Sequence, residues 1–276
     1  MRQVPSSVYT RDYYLHTCLG GKEFQKFYGT KAHSRIAELF SFITIKKGMR
    51  VLDIGCGRGD YSFYCAKKGA HVVGIDYAKD AIELAKMALK KQNRYVKERV
   101  QFVEKDIKDA IFPREYFDLV IAIDVFEHLY PEELEVVMQQ IRRILKSEGS
   151  LLVHTEVNKI YLDFTHPLYC YPVNALLIWL NKIFTGRDYE GLPKDPRNEF
   201  HKIQHVNEPT YFYLKELFQR CGLYGSVTPK IPFKPTLSWK DVVYNILVWL
   251  WPVSSLFPLH LLFAYNFICV VRKKTE

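Results

Sequence analysis

The segment Val51-Leu52-Asp53-Ile54-Gly55-Cys56-Gly57-Arg58-Gly59 decides how the chain folds. Its apolar first half predicts a buried strand, and its three closely spaced glycines predict a tight loop in front of a helix. Such a loop lets a ligand approach the backbone without meeting side chains, and the first turn of the helix offers free N–H groups. The segment is therefore a candidate ligand-binding loop at the carboxyl end of a strand.

Strands and helices alternate on both sides of this loop along the next hundred residues. Periodicity predicts strands at 50–54, 71–75, 100–103, 117–123 and 150–153, with helices at 61–68, 78–92 and 131–145. A helix at 210–221 and strands at 223–228 and 266–271 follow a less regular segment. Alternation with short links is typical of a parallel sheet covered by helices on both faces. The sequence therefore predicts an α/β fold with a Rossmann-like, doubly wound sheet.

Composition excludes several classes of protein. Of the 276 residues, 48% are hydrophobic and 25% are charged, which excludes a disordered chain. The six cysteines form no C-x-x-C pair, so a disulfide scaffold or a cysteine-rich zinc site is not expected. The amino-terminal residues lack the apolar core of a signal segment. We therefore expect a cytoplasmic protein. The net charge of +9 favours anionic partners without choosing among them.

Three carboxylates stand at the ends of the first three predicted strands. Asp53 precedes a G-x-G-x-G loop, which differs from the dinucleotide pattern G-x-G-x-x-G and suits an ammonium group better than a pyrophosphate. Asp76 can accept hydrogen bonds from ribose hydroxyls, and Asp106 can receive an exocyclic amine. Each acid alone could be a helix cap or a turn residue. Together and in this order they favour S-adenosylmethionine (SAM) as the ligand.

Four motifs resemble those of class I SAM-dependent methyltransferases. They are V-L-D-I-G-C-G-R-G at 51–59, G-I-D at 74–76, E-K-D at 104–106 and F-D-L-V-I-A-I-D-V-F-E-H-L at 117–129. D-V-F-E-H-L is most similar to small-molecule O-methyltransferases like those of ubiquinone biosynthesis. The resemblance covers about residues 48–157 and is looser at 205–218. It implies a seven-stranded sheet whose last strand is antiparallel, with SAM at the carboxyl edge.

The resemblance also implies which residues contact the cofactor. The residues expected at its methionine part are Asp53, Gly55, Cys56, Gly57 and Gly59, with Asp124 beside them. Asp76 with Tyr77 is expected at the ribose, and Asp106 with Ile107 at the adenine.

Two histidines are candidates for a catalytic base, because a neutral imidazole can remove a proton at cellular pH. His128 follows the fourth strand and His154 ends the fifth. In some similar methyltransferases an E-x-x-E-H arrangement binds a divalent cation, and here Asp124, Glu127 and His128 stand in those places. The alternative, which the sequence favours, is that Glu127 and His128 cap the next helix and shape the acceptor pocket, with no metal.

The chain divides into four predicted segments. Residues 1–45 form an amino-terminal helical lid, 46–157 the SAM-binding core, 158–209 an insertion over the acceptor site, and 210–276 complete the sheet. Residues 242–271 carry no Asp, Glu, Lys or Arg, and their length alone would fit a membrane span. Prolines interrupt the run, and its last third is needed as the seventh strand. We therefore reject a spanning helix and expect an apolar helical insertion at 239–263.

The sequence predicts a SAM-dependent methyltransferase acting on a small-molecule or lipid-like acceptor, with oxygen as the methylated atom. Trp239, Trp249 and Trp251, near Lys234 and Lys240, resemble an anchor to a membrane surface. A lid over the acceptor, a homodimer interface and plain core are the alternatives for this segment. An RNA methyltransferase, favoured by the charge but lacking an N-P-P-Y motif, and a non-catalytic SAM-binding protein are the alternative functions.

Overall fold

The computed structural model describes residues 2–31 and 34–273. Residues 1, 32–33 and 274–276, which fall in the predicted lid and in the carboxyl-terminal segment, lie outside the described residues. The strands are β1 Arg50–Ile54, β2 His71–Asp76, β3 Val100–Glu104, β4 Phe117–Ile123, β5 Leu145–Glu156, β6 Leu223–Lys230 and β7 Asn266–Lys273. The α-helices of this part of the chain are α1 Gly21–Phe27, α2 Ser34–Leu39, α3 Asp60–Lys67, α4 Lys79–Lys91, α5 Arg94–Lys97, α6 Pro131–Ile144, α7 Tyr171–Thr185, α8 Glu199–Gln204, α9 Tyr211–Arg220, α10 Trp239–Trp249 and α11 Leu259–Phe263.

The strands form one sheet in the order β3-β2-β1-β4-β5-β7-β6. The first five run parallel, and β7 lies antiparallel between β5 and β6. The predicted seven-stranded, doubly wound sheet with an antiparallel last strand is therefore confirmed. The strand order reverses between β1 and β4, and ligands bind at such a switch point at the carboxyl edge of an open sheet.

The sheet is buried on both faces, as the apolar strands predict. Along β1 and β4, Leu52 and Val120 pack with α6, whereas Val51 and Ile121 pack with α3 and α4. Successive residues of a strand point to opposite faces, so each strand supplies both layers of core. A fully buried side chain of this size contributes about 1.5–3 kcal/mol. This burial fixes where the strand ends, and with them the site, must lie.

β5 begins at Leu145, earlier than the predicted start at residue 150. Leu145 pairs with Phe117, but the register shifts before Ser150 pairs with Leu119. The polar residues between Leu145 and Ser150 hide this first part of the strand from an analysis of apolar runs. The carboxyl end of β5, which carries His154, lies at the same edge as the glycine loop.

Residues 157–185 and 239–263 pack together on a small hydrophobic core of their own, which includes Tyr161 stacked on Trp249 with ring centres 6.0 Å apart. The Tyr169 hydroxyl donates to the Leu247 carbonyl at 2.6 Å and joins the two segments. Among the described residues, no helix combines the length and apolar character needed to cross a membrane.

Candidate functional site

A cavity of about 340 Å³ lies at the carboxyl edge of the sheet. Its walls come from four parts of the chain: the glycine loop after β1, the ends of β2, β4 and β5, the amino-terminal segment, and the residues around α8. The lining residues are Tyr9, Tyr13, Tyr14, Thr17, Cys18, Leu19, Arg35, Gly55, Cys56, Gly57, Arg58, Asp60, Tyr61, Asp76, Tyr77, Ile123, Asp124, Val125, Glu127, His128, Leu129, Glu156, Asn198, His201 and His205.

The glycine loop turns sharply because its three glycines adopt positive φ angles. At Gly59, with φ +86°, an added Cβ would lie 2.5 Å from the Phe102 ring, so no larger residue fits there without displacement. Asp53 lies behind the loop, where its buried carboxylate accepts a hydrogen bond from the Ser62 hydroxyl at 2.5 Å. Burial raises the pKa of Asp53 to about 7. Gly55 and Gly57 line the cavity, whereas Asp53 and Gly59 support it from behind.

Asp76 ties the glycine loop to the end of β2. Its carboxylate accepts hydrogen bonds from the backbone N–H groups of Gly57, at 3.0 Å, and Ala78, at 2.9 Å. Burial raises the pKa of Asp76 to about 6, against the effect of these donors. Asp76 therefore lines the cavity as a carboxylate whose charge is poorly compensated.

The adjoining end of the site carries Tyr77 and Asp106. The Tyr77 hydroxyl donates to the Val4 carbonyl at 3.0 Å, and Asp106 accepts a hydrogen bond from the Gln3 amide at 2.7 Å. Asp106 also accepts from the backbone N–H of Lys108 at 2.8 Å. Ile107 is buried beside it, and neither Asp106 nor Ile107 lines the cavity. Residues 3–4 thus lie against this end of the site.

Arg58, which the sequence analysis did not single out, fastens the amino-terminal segment to the glycine loop. Its guanidinium donates to the carbonyls of Tyr14, at 2.5 Å, and Leu19, at 2.8 Å, and pairs with Asp60 at 3.0 Å. The side chain is buried, so these bonds replace the water it loses. An arginine between two loop glycines was the available signal for such a contact.

Asp124 and His154 form a second polar group with Arg35 of α2. The Arg35 guanidinium lies 2.5 Å from an Asp124 carboxylate oxygen and 2.6 Å from His154 Nδ1, and the same two atoms of Asp124 and His154 are 2.5 Å apart. Burial favours the neutral acid, but Arg35 and then His154 hold the pKa of Asp124 below its usual range. Asp124 and Arg35 line the cavity, whereas His154 is buried behind them. The sequence did not reveal Arg35.

Glu127, His128 and His205 lie at the other side of the cavity, with one ligand atom from each within 4.8 Å of the others. Glu127 is fully buried and accepts a hydrogen bond from the Thr155 hydroxyl at 2.8 Å. Burial, with the nearby Asp124 charge, raises the pKa of Glu127 well above its usual value.

The imidazoles in this group are neutral at pH 7. Burial lowers the pKa of His128 to about 4 and also lowers the pKa values of His205 and His201. The Nδ1 atoms of all three rings are buried without a partner among the described residues. His128 also bonds the backbone of Gln204, and because Nδ1 is unpartnered this bond belongs to Nε2. A hydrogen bond at one ring nitrogen fixes the lone pair on the other.

A family model described as a methyltransferase domain matches residues 45–180 of the chain. A ubiquinone biosynthesis O-methyltransferase of Bradyrhizobium diazoefficiens is 36% identical over 117 residues, covering 42% of this chain and 43% of that protein. A cyclopropane-fatty-acyl-phospholipid synthase of Escherichia coli is 35% identical over 114 residues, covering 41% of this chain and 28% of that protein. The chain thus spans less than half the length of the curated relatives it matches.

The fold is similar to that of solved structures over most of the chain. A SAM-dependent methyltransferase from Mesorhizobium loti has a TM-score of 0.56 at 16% identity, over 86% of this chain and 96% of that one. At this identity the likeness concerns the fold alone.

We expect the buried Asp53 carboxylate to make the protein less stable as pH rises. Its pKa is about 7 in the folded chain and about 3.9 in an unfolded one, so folding takes up a proton between these values and stability falls across this window. Between pH 5 and pH 8 the wild type should lose about 2–3 kcal/mol more free energy of unfolding than Asp53→Asn, measured by urea denaturation. Asp109→Asn, at an exposed acid, is the control. Parallel pH profiles for the wild type and Asp53→Asn would contradict this account.

Proposed function

We propose that this chain, whose residues 45–180 form a class I SAM-dependent methyltransferase domain, transfers a methyl group from SAM to a hydroxyl oxygen of a lipid-like acceptor. The observation that carries the proposal is one cavity bounded by the glycine loop and Asp76 on one side and by the neutral His128 on the other. The Tyr9 ring contacts both Tyr77 and His128, with ring centres 5.6 Å apart in each case, and so links the two sides.

The sequence motifs predict a class I domain with SAM as its cofactor, and the match of residues 45–180 to a methyltransferase domain supports both. Within the cavity we place the ribose at Asp76 and the methionine part along Gly55, Cys56 and Gly57. The adenine would lie toward Tyr77, next to Asp106 and Ile107. Residues 3–4 contact Tyr77 and Asp106, so they would either cover the bound adenine or move aside to admit it. These assignments rest on the order of the strand ends.

The carboxylate of the methionine part needs a cation, and Arg35 is our candidate. Two of the described residues that line the cavity are arginines, Arg35 and Arg58, and none of them is a lysine. Arg58 is committed to Asp60 and to two backbone carbonyls. Arg35 is held by Asp124 and could share its remaining donors with a bound carboxylate. We propose that Asp124 and the buried His154 position Arg35 and do not touch the acceptor.

Two considerations favour a lipid-like acceptor. The relatives are named for ubiquinone biosynthesis and for fatty-acyl phospholipids, although the similarity covers only the domain. The wall beyond the glycine loop is built mainly from aromatic and apolar side chains, including Tyr9, Tyr13, Leu19 and Leu129. Such a wall suits an apolar body with one hydroxyl near His128. A cytoplasmic location, peripheral contact with a membrane and a homodimer stay predictions.

The reaction balances as a displacement in line. The acceptor oxygen forms a bond to the methyl carbon while the carbon–sulfur bond breaks, and the electron pair of that bond stays on sulfur, which loses its positive charge. The hydroxyl proton must also leave. With a pKa of about 4, His128 is a weak base, and taking the proton at pH 7 would cost about 4 kcal/mol. Nδ1 of His128 therefore suits a metal ion or a hydrogen-bond donor better than a free proton.

We accordingly propose that Glu127, His128 and His205 can hold a divalent cation. The sequence favoured no metal, but it did not reveal that His205 joins this group or that two imidazole lone pairs are buried without partners. A carboxylate with two imidazoles is a common donor set for zinc, manganese or iron. A bound cation would lower the pKa of an acceptor hydroxyl, so that the hydroxyl proton would pass to water, which is the chemistry that the histidines alone supply poorly.

Asp76→Ala should weaken binding of S-adenosylhomocysteine by about tenfold or more, because a charged hydrogen-bond acceptor for the ribose is lost. Isothermal titration calorimetry on folded protein, checked by circular dichroism, measures the affinity. Asp109→Ala, at an exposed acid near the same edge, is the control and should leave the affinity unchanged. Equal affinities for Asp76→Ala and the wild type would remove the assignment of the ribose.

Methyl-labelled SAM incubated with the protein and a cell extract should transfer its label to the fraction that organic solvent extracts. Arg35→Met, which keeps an apolar stem but removes the proposed carboxylate partner, should reduce this transfer. Label in RNA instead would support the RNA methyltransferase. Binding of SAM without transfer to any fraction would support a non-catalytic SAM-binding protein.

Co²⁺ should bind one equivalent per chain and give the visible absorption of a site with nitrogen and oxygen ligands. His205→Asn should lose about tenfold or more in Co²⁺ affinity, because one of three proposed ligands is removed. His71→Asn is the matched control, since His71 is exposed at the opposite end of β2. If the wild type fails to bind Co²⁺, or His205→Asn binds it equally well, Glu127 and His128 only shape the pocket.

A further inference from the structure

Helix α7 exposes more of its apolar side chains than a surface helix usually does. Its sequence, Y-P-V-N-A-L-L-I-W-L-N-K-I-F-T, is apolar on nearly every side, yet Asn174 is its one buried residue. Asn174 points inward and accepts a hydrogen bond from the Tyr244 hydroxyl of α10 at 3.0 Å. An apolar helix is ordinarily buried in a core or in lipid. Here Asn174 helps to hold the helix in place and Val173 and Leu177 pack in part against the small core, whereas the exposed apolar side chains are Leu176, Trp179, Ile183 and Phe184.

Neighbouring elements extend this surface. The π-helix Tyr161–Cys170, α10 and α11 pack around α7 and its small core, and each presents large apolar side chains to the outside. Strongly exposed side chains on this part of the surface are Leu168 (74%), Phe184 (81%), Leu237 (90%), Trp239 (71%) and Phe257 (74%). We call the outward surface of residues 164–184 and 237–262 the apolar face. A surface of this kind on a chain of this size indicates an interaction site.

Basic residues outnumber acidic ones around the apolar face. Within residues 164–188 and 231–263, the charged residues are Lys182, Arg187, Asp188, Lys234, Lys240 and Asp241, and Lys182 pairs with Asp188 at 2.9 Å. Asp241 accepts hydrogen bonds from Ser238 as the cap of α10 but keeps its negative charge, so the net charge of these residues is +2. Protruding aromatic side chains with lysines beside them are typical of segments that lie in the interface of an anionic bilayer.

We infer that the apolar face docks on an anionic membrane surface, with Phe184 and Phe257 inserted among the lipids. A second copy of the chain fits less well, because a symmetric dimer through this face would bring its own lysines and arginine near their copies. The inference rests on the proposed lipid-like acceptor. Docking would place the cavity next to the membrane that contains the lipid-like acceptor.

The connection from the apolar face to the cavity is short along the chain. α7 ends at Thr185, and the next helical segment supplies Asn198, His201 and His205 to the cavity wall. The whole insertion leaves the sheet at the carboxyl end of β5, the edge on which the cavity lies. The apolar face and the histidines thus belong to one insertion, next to the edge on which the cavity lies.

The test is co-sedimentation of the full chain with vesicles, without SAM. The wild type should sediment with vesicles of phosphatidylcholine and phosphatidylglycerol, more weakly at high salt, and little with phosphatidylcholine alone. The double variant Phe184→Ser with Phe257→Ser should bind about tenfold or more weakly, because two inserted aromatic side chains are lost. Phe212→Ser, at an exposed phenylalanine of α9 outside the face, is the matched control and should bind like the wild type.

Two further readouts separate the possible results. Affinity for S-adenosylhomocysteine should be unchanged in the double variant, so that a failure of docking is distinct from a failure of the methyltransferase proposal. Sedimentation velocity gives the oligomeric state. If the wild type does not sediment with anionic vesicles, the inference is wrong. If the wild type is a dimer and the double variant is a monomer, the apolar face binds a second copy of the chain instead.

Discussion

Buried carboxylates at the carboxyl edge of the sheet are the constraint on which the site depends. A carboxylate removed from water must be paired or hydrogen-bonded, and each of these acids draws its donors from a different part of the chain. Asp53 binds Ser62 of α3, Asp76 binds the glycine loop, and Asp124 binds Arg35 of α2. Asp76 therefore joins the end of β2 to the loop after β1, Asp53 joins β1 to α3, and Asp124 joins the end of β4 to the amino-terminal segment.

The amino-terminal segment gains its place from two arginines. Arg58 holds it to the glycine loop, and Arg35 reaches from α2 to the end of β4. Both contacts satisfy groups that would otherwise be buried without partners, which is a stronger reason for order than the aromatic side chains alone. The same contacts put Tyr9 and Tyr14 against the cavity. The same interactions thus close the cavity and stabilise the amino-terminal segment.

The insertion after β5 divides its side chains between two tasks. Residues near α8 turn imidazoles toward the cavity, whereas α7 and its neighbours turn apolar side chains away from it. The buried Asn174 and the Tyr161–Trp249 stack hold α7 and the π-helix before it against α10. This division suits the proposed lipid-like acceptor. The apolar face can contact the membrane that contains the acceptor, while the imidazoles present lone pairs to the acceptor in the cavity.

The sequence by itself determined the sheet and the positions of its acids, because a strand, a glycine loop and a helix are specified by neighbouring residues. It also placed Asp53, Asp76 and Asp124 at one edge, since parallel strands share their carboxyl ends. Only the tertiary structure decided that Arg35 meets Asp124, 89 residues away, that His205 joins His128, and that His154 lies behind the cavity. It likewise decided which side of α7 faces outward, because a helix that is apolar all round has no periodicity to fix its orientation. These outcomes depend on long-range packing, which no local pattern encodes.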